Sequence, residues 1–176
     1  MRPILGLIAA VLFGGCAGAV LRSDGITKER KMKTKTTVNQ LSLEFSVVTP
    51  RVKKAEDLEV RAIFTNESKT TLRLKTLFLD FGVILLKVRK SDGTPVLLGP
   101  APLPPADDGE TGRVDLSPGQ SIEYVYRGIN IFGGQKLPPG EYQIRFRYAN
   151  EYAPEGEWKG TIETEWLTFR IADSRR

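Results

Sequence analysis

The sequence predicts an all-β fold: an antiparallel β-sandwich of about seven to nine strands. Three observations predict it. From residue 41 onward, apolar and polar residues alternate with a period of two, the mark of half-buried strands. Clusters of Gly, Pro, Asn, Asp and Ser interrupt the chain at intervals of about ten residues, the spacing of a sandwich. Beyond the N-terminal apolar stretch, no segment carries a helical period.

The N-terminus stands apart from this rhythm. Met1-Arg2-Pro3 supplies a charge, Ile4 to Phe13 an apolar run, and Gly14-Gly15-Cys16 a small-residue ending. That is the layout of a secretory signal. It is too short for a comfortable membrane span, which needs roughly 20 residues. Cys16 is the only cysteine of the chain. A cysteine directly after Gly-Gly resembles the lipobox of bacterial lipoproteins, although Phe13 stands where that family usually has Leu. The resemblance implies cleavage before Cys16, with residues 1–15 as signal peptide and a lipid on Cys16. It implies a cell-envelope location and a membrane partner reached through the lipid. In a Gram-negative cell, Ala17 in place of the inner-membrane retention aspartate would imply the outer membrane. Ala17-Gly18-Ala19 also fits ordinary signal peptidase, so plain secretion is the alternative.

Charge is unevenly placed. The chain has 26 basic and 21 acidic residues. Residues 1–35 hold seven of the basic ones (Arg2, Arg22, Lys28, Arg30, Lys31, Lys33, Lys35) and two acidic ones (Asp24, Glu29), leaving 19 of each sign in 36–176. The net +5 therefore lies in the N-terminal part. A nucleic-acid domain needs its basic patch on a folded face, so nucleic acid is not the expected partner. Residues 16–39 read instead as a basic flexible tether, close enough to a bilayer to meet anionic headgroups. The folded domain is expected over residues 40–173.

Leu41, Leu43, Phe45 and Val47 alternate with Ser42, Glu44 and Ser46, and Pro50 closes that strand. Leu58, Val60, Ala62 and Phe64 form the next, ended by the turn Asn66-Glu67-Ser68. Leu72 and Leu74 open a third. Val83 to Val88 is a more continuous apolar run, expected of a central strand, and Ser91-Asp92-Gly93-Thr94 is a hairpin signal. Residues 99–112 contain four prolines and three acids, and they read as a long exposed loop. Strands resume at Arg113–Leu116 and Ser121–Arg127. The clearest strand places Tyr142, Ile144, Phe146 and Tyr148 on one face, with Glu141, Gln143, Arg145 and Arg147 on the other. A loop with Pro154 and Gly156 precedes the final strand through Leu167, Phe169 and Ile171.

Leu137-Pro138-Pro139-Gly140-Glu141-Tyr142 resembles the corner before a late strand of immunoglobulin-like and fibronectin-III-like domains. The resemblance implies that the Tyr142 hydroxyl bonds back to the backbone of the corner, making Tyr142 a structural anchor. It is a likeness of fold, and such folds carry many functions.

The available chemistry is narrow. The chain has no histidine, hence neither the commonest general base nor the commonest metal ligand. An acylated Cys16 would offer no thiolate. No phosphate-binding glycine loop is present. No cofactor and no enzymatic activity are expected. Asp107, Asp108 and Glu110 form a possible loop site, since calcium accepts oxygen ligands, but their spacing matches no EF-hand. Tyr152 and Trp158 lie in a polar loop and are the aromatic candidates for a binding surface, whereas Tyr148 and Trp166 read as core or strand flank. The expected function is a non-enzymatic envelope module that binds a protein partner. One alternative is a carbohydrate- or peptidoglycan-binding module using Tyr152 and Trp158. Another is a proteinase inhibitor presenting loop 99–112 or 149–157, as some immunoglobulin-like bacterial proteins do.

Overall fold

The computed structural model describes residues 32–75, 84–98 and 112–173. They form β1 (Lys33–Val38), β2 (Leu41–Val47), β3 (Arg51–Val52), a 3-10 turn (Ala55–Asp57), β4 (Glu59–Asn66), β5 (Leu72–Lys75), β6 (Ile84–Lys90) and β7 (Pro95–Val96). After these come β8 (Arg113–Leu116), β9 (Ser121–Arg127), helix α1 (Gly128–Phe132), β10 (Gly140–Asn150), β11 (Gly160–Glu163) and β12 (Leu167–Ile171). One sheet runs β1-β2-β4-β9. A second runs β3-β12-β10-β6-β7, with β11 also on β10, and β5 pairs with β8. Every pairing between these strands is antiparallel except β3 with β12. The all-β, antiparallel class read from the sequence is the class observed.

The two main sheets face each other across an aromatic core. Phe45 and Phe64 of one sheet meet Phe146 of the other at ring-centroid distances of 5.5 and 6.0 Å, and Tyr126 meets Phe146 at 5.7 Å. The period-two residues are the ones buried: Leu41, Leu43, Phe45 and Val47 on β2; Val60, Ala62 and Phe64 on β4; Tyr142, Ile144, Phe146 and Tyr148 on β10. Burial of such side chains is worth about 1.5–3 kcal/mol each. With no described disulfide, the core carries the fold.

The corner before β10 is built as its sequence implies. Tyr142 is buried, and its hydroxyl donates to the Pro138 carbonyl at 2.7 Å. The turn after β4 is equally specific. Asn66 Nδ2 donates to the carbonyls of Thr70 and Leu116 at 2.7 and 2.8 Å, and its Oδ1 accepts from the Ser68 amide. The hairpin at Asp92-Gly93 closes with Lys90 N–H on the Thr94 carbonyl at 2.8 Å.

Four expectations need correction. The basic tether does not extend to residue 39: from Lys33 the chain is β1, paired with β2 from Lys33↔Ser46 to Val38↔Leu41. Its lysines point outward into ion pairs, Lys33 with Glu44 and Lys35 with Glu67, while Thr34 is buried. The strands number twelve among the described residues, because β1, β3, β7 and β11 are short or lack apolar alternation. A helix, α1, does exist, and it buries Ile131 and Phe132. Its first residue has to be glycine: a Cβ on Gly128 would lie 1.9 Å from the Ala55 carbonyl oxygen. Finally, β6 is buried on one face alone, and Leu85 is 45% exposed. The expected loop falls almost wholly on residues 99–111, outside the described residues.

Candidate functional site

The outer face of the larger sheet carries an apolar groove bordered by charged side chains. Register decides which side chains reach it. Arg89 pairs with Pro95 and Val88 with Val96, so Val88 and Val96 turn toward the core. Leu85, Lys87 and Arg89 turn outward on β6, and Leu97 continues the outward face beyond Pro95. Arg145 lies opposite Lys87 on β10 and shares that face. Trp166, just before β12, completes a groove of about 490 Å³.

Its apolar part is open to solvent. Leu97 is 84% exposed. The guanidinium carbons of Arg89 and Arg145 lie over the Trp166 ring, 4.1 and 4.6 Å from its centroid. Cation–π attraction of this kind holds an indole in place at about 0.5–1 kcal/mol per exposed contact. Arg89 Nε also donates to Gln143 Oε1 at 2.7 Å. Lys87 and Arg145 share the Glu163 carboxylate, each at 3.1 Å. The groove lining itself contains three cations, Lys87, Arg89 and Arg145, and no carboxylate.

The residues singled out in the sequence fall in different places. Tyr152 is 95% exposed at the turn after β10. Trp158, expected beside it on the surface, is instead 4% exposed. It stacks on Tyr148 with ring centroids 5.4 Å apart, and its Nε1 donates to the Asn39 carbonyl at 3.2 Å. A Cβ on Gly160 would come within 2.9 Å of the ring, so the glycine makes room for it. Trp158 is therefore core. Its polar sequence neighbours misled because its packing partners, Tyr148 and Asn39, come from other elements. Tyr152 and Trp158 do not form one aromatic platform. Cys16 and the loop acids Asp107, Asp108 and Glu110 lie outside the described residues.

Near Trp158, Glu157 is held by two donors. Arg113 Nε pairs with its Oε1, and Asn150 Nδ2 reaches its Oε2 at 3.4 Å. The Arg113 hydrogen bond holds the Glu157 carboxyl below its ordinary value. This is a latch between β8 and the loop before β11. Among the described residues, no group of three or more His, Cys, Asp or Glu side chains is placed to hold a metal ion. No described helix is long and apolar enough to cross a membrane.

Sequence reasoning missed the groove. Leu85, Leu97 and Trp166 are unremarkable singly and come from three separate stretches. The available signal was the polar-face Arg89 and Arg145, whereas Leu85 lies inside the apolar run from Val83 and does not stand out.

No protein-family model and no curated protein matches the chain. Among solved structures it is similar to a β-glucosidase from Erythrobacter marinus, at 13% identity and a TM-score of 0.36, over 75% of this chain and 16% of that one. At that TM-score the likeness carries no argument about activity.

Proposed function

We propose that this protein is a lipid-anchored component of a bacterial cell envelope, tethered through Cys16, whose sandwich is a non-enzymatic module that binds a protein partner. The groove at Leu85, Leu97 and Trp166, rimmed by Arg89 and Arg145, is the observation that supports the reading. An apolar strip in which Arg side chains stack on a Trp has the composition of an interaction hot spot. Its lining supplies three cations but no carboxylate, thiol or imidazole, a poor set for general acid–base or nucleophilic chemistry.

Two measurements test the two halves. Cys16→Ser should move the protein from the membrane to the soluble fraction, and labelled palmitate should be incorporated by the wild type alone. A mature N-terminus at Val20 would refute the anchor. For the module, cross-linking in intact envelopes should capture a protein that Leu97→Glu and Trp166→Ala both lose and Tyr152→Ala retains. Identical captures from all four proteins would remove the groove from the function.

A further inference from the structure

We infer that β9 is a self-association edge, pairing with β9 of a second copy in one specific register. The starting observation is how the terminal strands differ. Free edges invite pairing, and proteins usually blunt them with lysine, proline or very short strands. In this fold β1 carries Lys33 and Lys35, β3 has two residues, and β7 has two residues of which one is Pro95. Among the described residues, β9 has none of these devices. It is a seven-residue strand, Ser-Ile-Glu-Tyr-Val-Tyr-Arg, at the end of the four-stranded sheet. Ser121, Glu123, Val125 and Arg127 are exposed, Val125 at 45%.

The hydrogen-bond pattern says which backbone groups are free. Asn66 N–H donates to the Gln120 carbonyl and Gly128 N–H to the Leu58 carbonyl. Between them Phe64 pairs with Ile122, Ala62 with Tyr124 and Val60 with Tyr126. Antiparallel ladders alternate, so Ile122, Tyr124 and Tyr126 direct their backbone groups to β4. Glu123 and Val125 direct theirs to the edge that the described residues leave unpaired, and so does the Arg127 N–H, whereas the Arg127 carbonyl, at the N-cap of α1, accepts the first bond of that helix.

A two-fold axis at Val125 satisfies most of those groups and sets a second cation beside Glu123, which already pairs with Arg61 at 3.3 Å. Val125 then lies opposite Val125 of the second copy, and Glu123 lies opposite Arg127 of the second copy, twice by symmetry. The Val125 pair exchanges two bonds and each Arg127 N–H reaches the Glu123 carbonyl of the second copy, giving about four inter-chain backbone hydrogen bonds. Opposite charges directly across an antiparallel pair stabilise it, and like charges destabilise it. The joint is isologous and closed, so it makes a dimer and not a fibre. It also makes the two four-stranded sheets one continuous sheet. It lies on the other sheet from the Trp166 groove, so it stands independently of the function proposed above.

The test uses the full chain, purified in detergent, with Cys16→Ser so that an introduced thiol is the only one. Val125→Cys should oxidise to a disulfide dimer. Leu85→Cys, equally exposed on the opposite sheet, should do so at least about tenfold more slowly, as expected for chance collision against a held pair. In chains without introduced cysteine, Glu123→Arg and Arg127→Glu should each weaken the dimer at least about tenfold by sedimentation, since each places like charges opposite twice. The double exchange should restore it. Circular dichroism checks that the variants are folded. Equal oxidation at Val125→Cys and Leu85→Cys, or a double exchange no better than the single variants, would overturn the inference.

Discussion

The indole of Trp158 stacks on Tyr148 while its Nε1 bonds to Asn39, so one side chain joins β10 to the turn between β1 and β2. Removing it leaves a cavity and an unpaired Asn39 carbonyl. Trp158→Ala should therefore cost about 3–5 kcal/mol, the scale of large aromatic truncations. Tyr152→Ala, a few residues away and exposed, should change stability by less than about 0.5 kcal/mol. Urea melts of the two variants check the pair. Tyr142→Phe keeps the ring stacked on Phe169 and removes only the bond to Pro138. It should cost about 1 kcal/mol, the ordinary worth of one hydrogen bond. Tyr142 was legible in the sequence because its corner, Leu-Pro-Pro-Gly-Glu-Tyr, is local. Trp158 was not, because the Gly160 and Asn39 that enclose it are revealed by packing alone.

At the scale of elements, legibility follows how much of a strand's burial its own residues announce. β2, β4 and β10 each alternate apolar with polar residues over most of their length, and the structure buries the apolar set. β1 reads Lys-Thr-Lys-Thr-Thr-Val, with a threonine where an apolar residue would mark the inner face. Its inner position, Thr34, is nonetheless 5% exposed, because β2 and the opposing layer cover it. The same local blindness applies to the Trp166 groove, whose walls come from β6, the stretch after β7 and the start of β12. β1 gives a prediction. A chain beginning at Asn39 should be less stable than one beginning at Met32 by about 3 kcal/mol or more, the scale of a large core deletion. Thermal melts of the two decide it. Equal midpoints would mean that β1 decorates the sheet without supporting it.

For the molecule as a whole, the shifted groups set a window of pH. Hydrogen bonds from Lys35, Arg73 and Arg113 lower the carboxyls of Glu67, Asp115 and Glu157, and the Thr94 amide lowers that of Asp92. A lowered carboxyl contributes stability that is present above its unfolded value and lost as pH falls through the folded one. Loss should thus begin below the ordinary values of 4.5 for Glu and 3.8 for Asp. Burial raises the phenols of Tyr126 and Tyr148, so the folded state resists ionising them. Their contribution is complete below the ordinary 10.0 and declines as pH rises above it. Denaturant midpoints should be flat between these limits and fall on either side, and Tyr126→Phe should soften the alkaline fall. A different consequence follows from the one parallel pairing. Arg51 and Val52 complete the sheet only against Arg170 and Ile171, and β10 likewise needs Leu167–Ile171 beside it. Pairings between segments so far apart in the chain form late and slowly. The larger sheet is therefore completed only when β12 docks, and until then residues Gly140–Ile144 of β10 lack one of their neighbours.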